Sequence, residues 1–165
     1  MIINLLDLSS KNDKVKNISF EFTHEPFNFE GEIITPLESI KVSGLVKAYG
    51  DILELHLDIK TVLEASCSRC LENFSFPIDL TIDEKFTNKS TVEGEELIFI
   101  EGDNLDITEV VINDIISTLP IKRLCSESCK GLCLNCGTNL NKSTCNCETY
   151  EVDYRLEALK NFFTE

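Results

Sequence analysis

The sequence predicts an α+β domain built on an antiparallel β-sheet, open or curled towards a barrel, with two helices and a Cys-rich, zinc-binding C-terminal lobe. Three observations lead there. Apolar residues alternate through much of the first hundred positions, the period becomes helical after Asp106, and six of eight cysteines crowd into residues 120–147. The expected organisation is a sheet body with one packing helix over residues 1–119, then the metal-binding lobe and C-terminal helix over 120–165, together one unit.

The elements follow in chain order. Weak strands are expected at 18–23 and 40–48, the second joined by Tyr49-Gly50-Asp51 to a long strand. In that strand Leu53, Leu55, Leu57, Ile59, Thr61 and Leu63 oppose Glu54, His56, Asp58, Lys60, Val62 and Glu64, the pattern of one buried face. Alternation resumes at Phe74, Phe76, Ile78, Leu80 and Ile82, so Cys67 and Cys70 fall in a strand-to-strand connection within an antiparallel meander. Pro77 has no amide hydrogen for a ladder, which predicts an edge position or a bulge. A further short strand is expected over 97–101. Ile107, Val110, Val111, Ile115 and Leu119 have helical spacing, with Asp106 placed to cap and Pro120 to stop. A second helix is expected near 153–163, docking through Val152, Leu156, Leu159 and Phe163.

Composition narrows the function. At 165 residues and 42% hydrophobic, the chain can bury a core despite a formal net charge of −14. No apolar run approaches the roughly 20 residues a membrane helix needs. No basic segment precedes the apolar part of MIINLLDLSS, so an unexported, cytoplasmic protein is expected, with no membrane partner. Disulfides are then the minority reading of the cysteines.

The cysteine spacing points to metal. Cys133-Leu134-Asn135-Cys136 lets two thiolates meet one ion at about 2.3 Å, and Gly137 permits the positive φ that such a turn commonly requires. Cys145 and Cys147, at alternate positions of an extended segment, point the same way and complete a four-thiolate site. Cys67, Cys70, Cys125 and Cys129 remain, enough for a second ion that would tie the sheet connection to the lobe. A structural ion is expected, with zinc the first choice, because all-thiolate sites are typically closed and residues 120–147 are poor in large apolar side chains. Cys67 and Cys70 have two competing readings: free or disulfide-bonded thiols, and a thioredoxin-like redox pair. The second needs a following helix where the alternation after Glu72 predicts a strand. His24 and His56 stand alone, and no phosphate-loop, dinucleotide, zinc-protease or nucleophile-elbow motif occurs. No catalytic residue and no small-molecule substrate are expected.

Charge divides unevenly. Residues 1–119 hold 9 basic and 23 acidic side chains, residues 120–147 hold 4 and 1, and residues 148–165 hold 2 and 5. The Cys-rich segment is the basic part, and Lys122, Arg123, Lys130 and Lys142, joined by Arg69 if the cysteine groups meet, are candidates to face RNA phosphate. The equal alternative is that these cations offset metal-thiolate charge.

The runs INLLDL and LEASCSRCLENFSFPIDL, the helix exit LPIK and the tail CSESCKGLCLNCGTNLNKSTCNCETYEVDYRLEALKNF cover nearly the whole chain. In combination they resemble the YceD family, bacterial and plastid proteins associated with accumulation of large-subunit ribosomal RNA. The resemblance implies a non-enzymatic role in ribosomal RNA processing or large-subunit assembly, in a bacterial cytoplasm. The expected partner is ribosomal RNA or a large-subunit ribosomal protein, engaged through the basic lobe. The alternative is a zinc-stapled interaction module whose acidic sheet binds a basic ribosomal protein.

Overall fold

A computed structural model describes residues 1–4, 14–89, 97–102 and 104–147. Within them the strands are β1 (Ile2–Asn4), β2 (Lys14–Phe22), β3 (Phe27–Phe29), β4 (Glu32–Pro36), β5 (Ile40–Tyr49), β6 (Ile52–Ser66), β7 (Asn73–Thr87), β8 (Leu97–Phe99) and β9 (Asn104–Asp106). One helix, α1 (Ile107–Thr118), follows.

The period-two pattern builds the centre of the sheet. Leu53, Leu55, Leu57, Ile59 and Leu63 of β6 are fully buried, each worth about 2 kcal/mol of apolar transfer at most. β6 pairs along one edge with all of β7 in unbroken antiparallel register, from Ile52↔Thr87 to Ser66↔Asn73. Its other edge is shared by β5 and β4. Between the pairs Pro36↔Leu63 and Lys41↔Lys60, residues 37–40 face only residues 61–62, so the chain bulges there. Thr61, the one polar member of the buried row, turns its hydroxyl to the bulge, donating to the Glu38 carbonyl at 3.3 Å.

Beyond β5 lies β2, and β3 forms a hairpin with β4. Gly44 of β5 admits no side chain, because a Cβ would lie 2.1 Å from the His56 carbonyl oxygen on β6. Val42, Val46, Ile59, Ile82 and Phe86 form one core with Ile107, Val111 and Ile115 of α1. Asp106 caps α1 as the sequence predicts, its carboxylate accepting the Thr108 amide at 3.0 Å, and the helix ends before Leu119 and Pro120.

The sheet differs from expectation in several places. Curling towards a barrel is not observed: β2 and β8 lie at opposite sides of an open sheet and do not pair. β8 pairs parallel with the end of β7, and β1 and β9 form a separate two-stranded ribbon leading into α1. The strand over 97–101 is shorter than predicted, and β1, β3, β4 and β9 are too short to leave a clear alternation. Pro77, by contrast, takes the edge position expected of it: β7 pairs there with β6 without a bulge and has no partner on its outer side among the described residues. The helix expected near 153–163, with Val152, Leu156, Leu159 and Phe163, lies outside the described residues.

One pair breaks the polarity pattern. Glu84 takes a core-side position on β7 opposite Leu55 and meets Asp114 of α1, whose Oδ2 is buried without a hydrogen-bond partner. Burial, then the neighbouring Asp114 carboxyl, pushes Glu84 up to about 6.

Candidate metal centres

The period-two rhythm of β6 delivers Cys67 inward, two positions beyond buried Ala65. The chain then turns sharply, with the Leu71 amide donating to the Cys67 carbonyl at 2.9 Å and the Cys67 amide to the Glu72 carbonyl at 2.9 Å. The same turn recurs at Cys133, where Gly137 donates to the Cys133 carbonyl at 2.8 Å and Cys133 to the Thr138 carbonyl at 2.8 Å. The residue after the second cysteine is left-handed in both, Leu71 at φ 60° and Gly137 at φ 72°.

The segment after α1 is fastened to the first turn. Ser68 donates its amide to the Arg123 carbonyl at 2.8 Å. The Arg123 guanidinium is itself buried, 3% exposed, and holds Glu32 through Nε at 3.1 Å, with a second nitrogen at 3.0 Å from the same carboxylate oxygen. It also donates to the Pro120 carbonyl at 3.2 Å and stacks 5.3 Å from the centre of the Phe29 ring. These contacts bring Cys125 and Cys129 against Cys67 and Cys70.

The eight cysteines thus gather as two groups of four, Cys67, Cys70, Cys125 and Cys129, and Cys133, Cys136, Cys145 and Cys147, with all sulfurs of each group within 4.8 Å of one another. Four sulfurs set tetrahedrally at about 2.3 Å around an ion are about 3.8 Å apart. Cys67 and Cys129 are separated by 3.8 Å and Cys70 and Cys125 by 3.7 Å, so both the donor set and its spacing fit a four-thiolate metal centre. A disulfide needs roughly 2.05 Å. The turn carrying Cys67 and Cys70 leads into β7, not into a helix whose N-terminus could serve a thioredoxin-like pair.

The groups differ in setting. In the first, Cys67, Cys70 and Cys129 are buried against Phe74, Leu124 and Leu132, and the group spans 62 residues from Cys67 to Cys129. The second is half-exposed and local to residues 133–147. Burial pushes the Cys67 thiol up, but the backbone amides of Cys125, Cys70 and Arg69 outweigh it and hold Cys67 at about 6. The hydroxyl and amide of Thr138 hold Cys136 at about 6 as well. Cys125, by burial and its sulfur neighbours, and Cys147, chiefly by hydrogen bonding to Cys136, are pushed up to about 12. Each group therefore mixes thiols ready to ionise with thiols that keep their protons until a cation compensates the charge.

The candidate cations are not equally available. Arg123 is consumed by Glu32, Arg69 donates to the carbonyls of Cys129 at 2.9 Å and Glu127 at 3.4 Å, and Lys142 pairs with Glu72. Lys122 and Lys130 are exposed, and no ion pair engages either among the described residues. On the sheet, charges are paired across strands: Lys60 with Asp79, Lys47 and Lys85 with Glu54, and His56 with Asp83. Hydrogen bonding and charge from Asp83 raise the His56 pKa. Sequence reasoning missed Arg123 as an anchor, Leu71 as a left-handed residue, and Asn141, whose side-chain amide donates to Cys129 Sγ at 3.3 Å. The paired asparagines of Asn139-Leu140-Asn141 were the available signal for the last.

Comparison with known proteins gives the family. The family model described as "Large ribosomal RNA subunit accumulation protein YceD" matches residues 55–163. The chain belongs to the YceD family. The match takes in all eight cysteines. Similar YceD relatives include the chloroplastic large ribosomal RNA subunit accumulation protein YCED homolog 1 of Arabidopsis thaliana, 30% identical over 61% of this chain and 41% of that protein. The Zea mays protein of the same name is 25% identical over 98% of this chain and 65% of its own length. YlbN of Bacillus subtilis is 24% identical over 80% of this chain and 78% of its own. The chain thus spans less than two thirds of either plant protein. No solved structure matches. YceD proteins are described as ribosomal RNA accumulation factors, and among the described residues no helix is long and apolar enough to cross a membrane.

Proposed function

We propose that this chain is a non-catalytic cytoplasmic factor supporting accumulation of large-subunit ribosomal RNA, with its Cys-rich segment stapled to the sheet by two structural zinc ions. The observation that carries the metal half is the meeting of two sets of four thiols at the spacing of a tetrahedral thiolate site. In the first set the ion would join the β6–β7 turn to the chain after α1, so its binding energy would become docking energy for a segment with little core of its own. Family membership carries the ribosomal half. The surface offered to RNA is the exposed side of the segment, with Lys122 and Lys130 as its free cations and Lys142 and Arg69 beside them. The test is sedimentation and crosslinking of metal-loaded protein with ribosomal precursors. Co-sedimentation lost on Lys122→Glu/Lys130→Glu supports RNA contact, and absence of any association rejects the proposal.

A second reading, docking on a basic large-subunit ribosomal protein, is favoured by the burial of Arg123 against Glu32 and the pairing of Lys142 with Glu72, which weaken the cationic surface of a chain of net charge −14. Under this reading, binding survives nuclease treatment and is lost when surface acids are neutralised.

A further inference from the structure

The loop that closes the second cysteine group supplies a contact to the first. Residues 137–144 connect Cys136 to Cys145, both of the second group. Asn139 pairs with Leu132 across the stem of that loop, and its carbonyl accepts the amides of Lys142 and Ser143, each at 3.1 Å. Its side-chain oxygen accepts from both the backbone and the side-chain amide of Asn141, each at 2.9 Å. Asn141 is thereby aimed out of the loop. Its side-chain nitrogen reaches Cys129 Sγ of the first group at 3.3 Å, while its side-chain oxygen accepts the Lys130 amide at 2.8 Å.

Cys129 is buried, and a thiolate there depends on hydrogen-bond donors as well as on its ion. One such donor is therefore held in position by the loop that a metal in the other group would order. We infer that Asn141 couples the two centres, so that metal in either raises the affinity of the other. Such coupling is reciprocal by thermodynamic linkage: an ion in the second group fixes the donor, and an ion in the first fixes Cys129 and Lys130, against which the loop is built. The inference rests on the reading that both groups hold metal. Asn141 acts here as a positioning residue and ligates nothing.

The experiment is chelator competition on full-length protein loaded with Co(II), followed through the visible bands of tetrahedral cobalt thiolate. Wild-type protein should bind two ions and release them in one concerted step. Asn141→Asp keeps the acceptor for the Lys130 amide but loses the donor to sulfur and to the Asn139 side-chain oxygen, while the backbone amide of residue 141 can still donate to Asn139. It should still bind two ions at saturation, release them in two resolved steps with the first centre weakened about tenfold, and show a sulfur-to-cobalt charge-transfer band moved to lower energy. Cys145→Ser/Cys147→Ser should bind one ion, also about tenfold more weakly than the first centre of the wild type. A wild-type protein that releases its ions independently, or an Asn141→Asp release curve and spectrum that superpose on the wild type, overturns the coupling while leaving two metal centres standing. Failure of the wild type to bind any cobalt overturns the metal reading itself, and the coupling with it.

Discussion

Leu71 and Gly137 occupy the same place in two copies of one turn, each donating its amide to the carbonyl of the cysteine four residues earlier with φ near +60° to +72°. Glycine reaches that conformation without strain, whereas leucine pays about 1 kcal/mol for its Cβ. Leu71→Gly should therefore raise stability by up to about 1 kcal/mol, less the extra freedom glycine brings to the unfolded chain. Gly137→Ala should lower it by a similar amount, because a Cβ there meets nothing within 4 Å and the strain is purely conformational. Denaturant unfolding of metal-loaded protein measures both, and a destabilised Leu71→Gly contradicts the shared turn.

Arg123 is an internal anchor, 3% exposed and held by Glu32. Arg123→Met should cost about 2–3 kcal/mol in thermal or chemical unfolding, since it strands Glu32 and removes the bond to the Pro120 carbonyl. Arg123→Met/Glu32→Leu should recover part of that loss, and a single variant as stable as the wild type contradicts the buried pair.

Glu84 makes stability depend on pH. Its folded pKa of about 6 lies above the ordinary glutamate value of about 4.3, so the protonated form favours the fold. The contribution is complete below the unfolded pKa and is lost as pH rises through 6. Glu84→Gln should therefore gain about 1 kcal/mol over wild type at pH 7, after allowing for solvent screening of this partly exposed pair, and little at pH 4. His56 also favours the fold when protonated, so the decisive quantity is the difference between the two proteins across pH. A difference that does not grow between pH 4 and 7 contradicts the raised Glu84 pKa.

Metal removal should act unevenly. The sheet and α1 share a continuous core, whereas around Cys67, Cys70 and Cys129 the apolar support is Phe74, Leu124 and Leu132. A strong chelator should therefore leave amide protection in the middle of β6 intact while abolishing it at Cys67, Leu71, Cys133 and Gly137, as read by hydrogen exchange. Uniform loss of protection would mean that the sheet depends on the metal as well.

The long elements were legible because periodicity survives in them. β6 displayed six alternating core positions and α1 a capped helical stripe, and both formed where the pattern put them. The three-residue strands β1, β3 and β9 are too short to establish a period; β8 formed within the strand expected over 97–101, but its parallel pairing with β7 leaves no trace in either strand alone. In the cysteine region, spacing suggested the two groups of four because a C-x-x-C pair fixes its own turn. Charge was a poorer guide: counting cations does not reveal that Arg123 faces Glu32, 91 residues away in sequence. Nor could Asn141 stand out among neighbouring asparagines before its distance to Cys129 was known.

Native mass spectrometry combined with elemental analysis would count the bound ions. Two zinc ions per chain are expected, falling to one in Cys67→Ser/Cys70→Ser and to one in Cys133→Ser/Cys136→Ser. A wild-type chain at its bare mass after purification and exposure to zinc, with all eight thiols open to alkylation, would contradict this expectation.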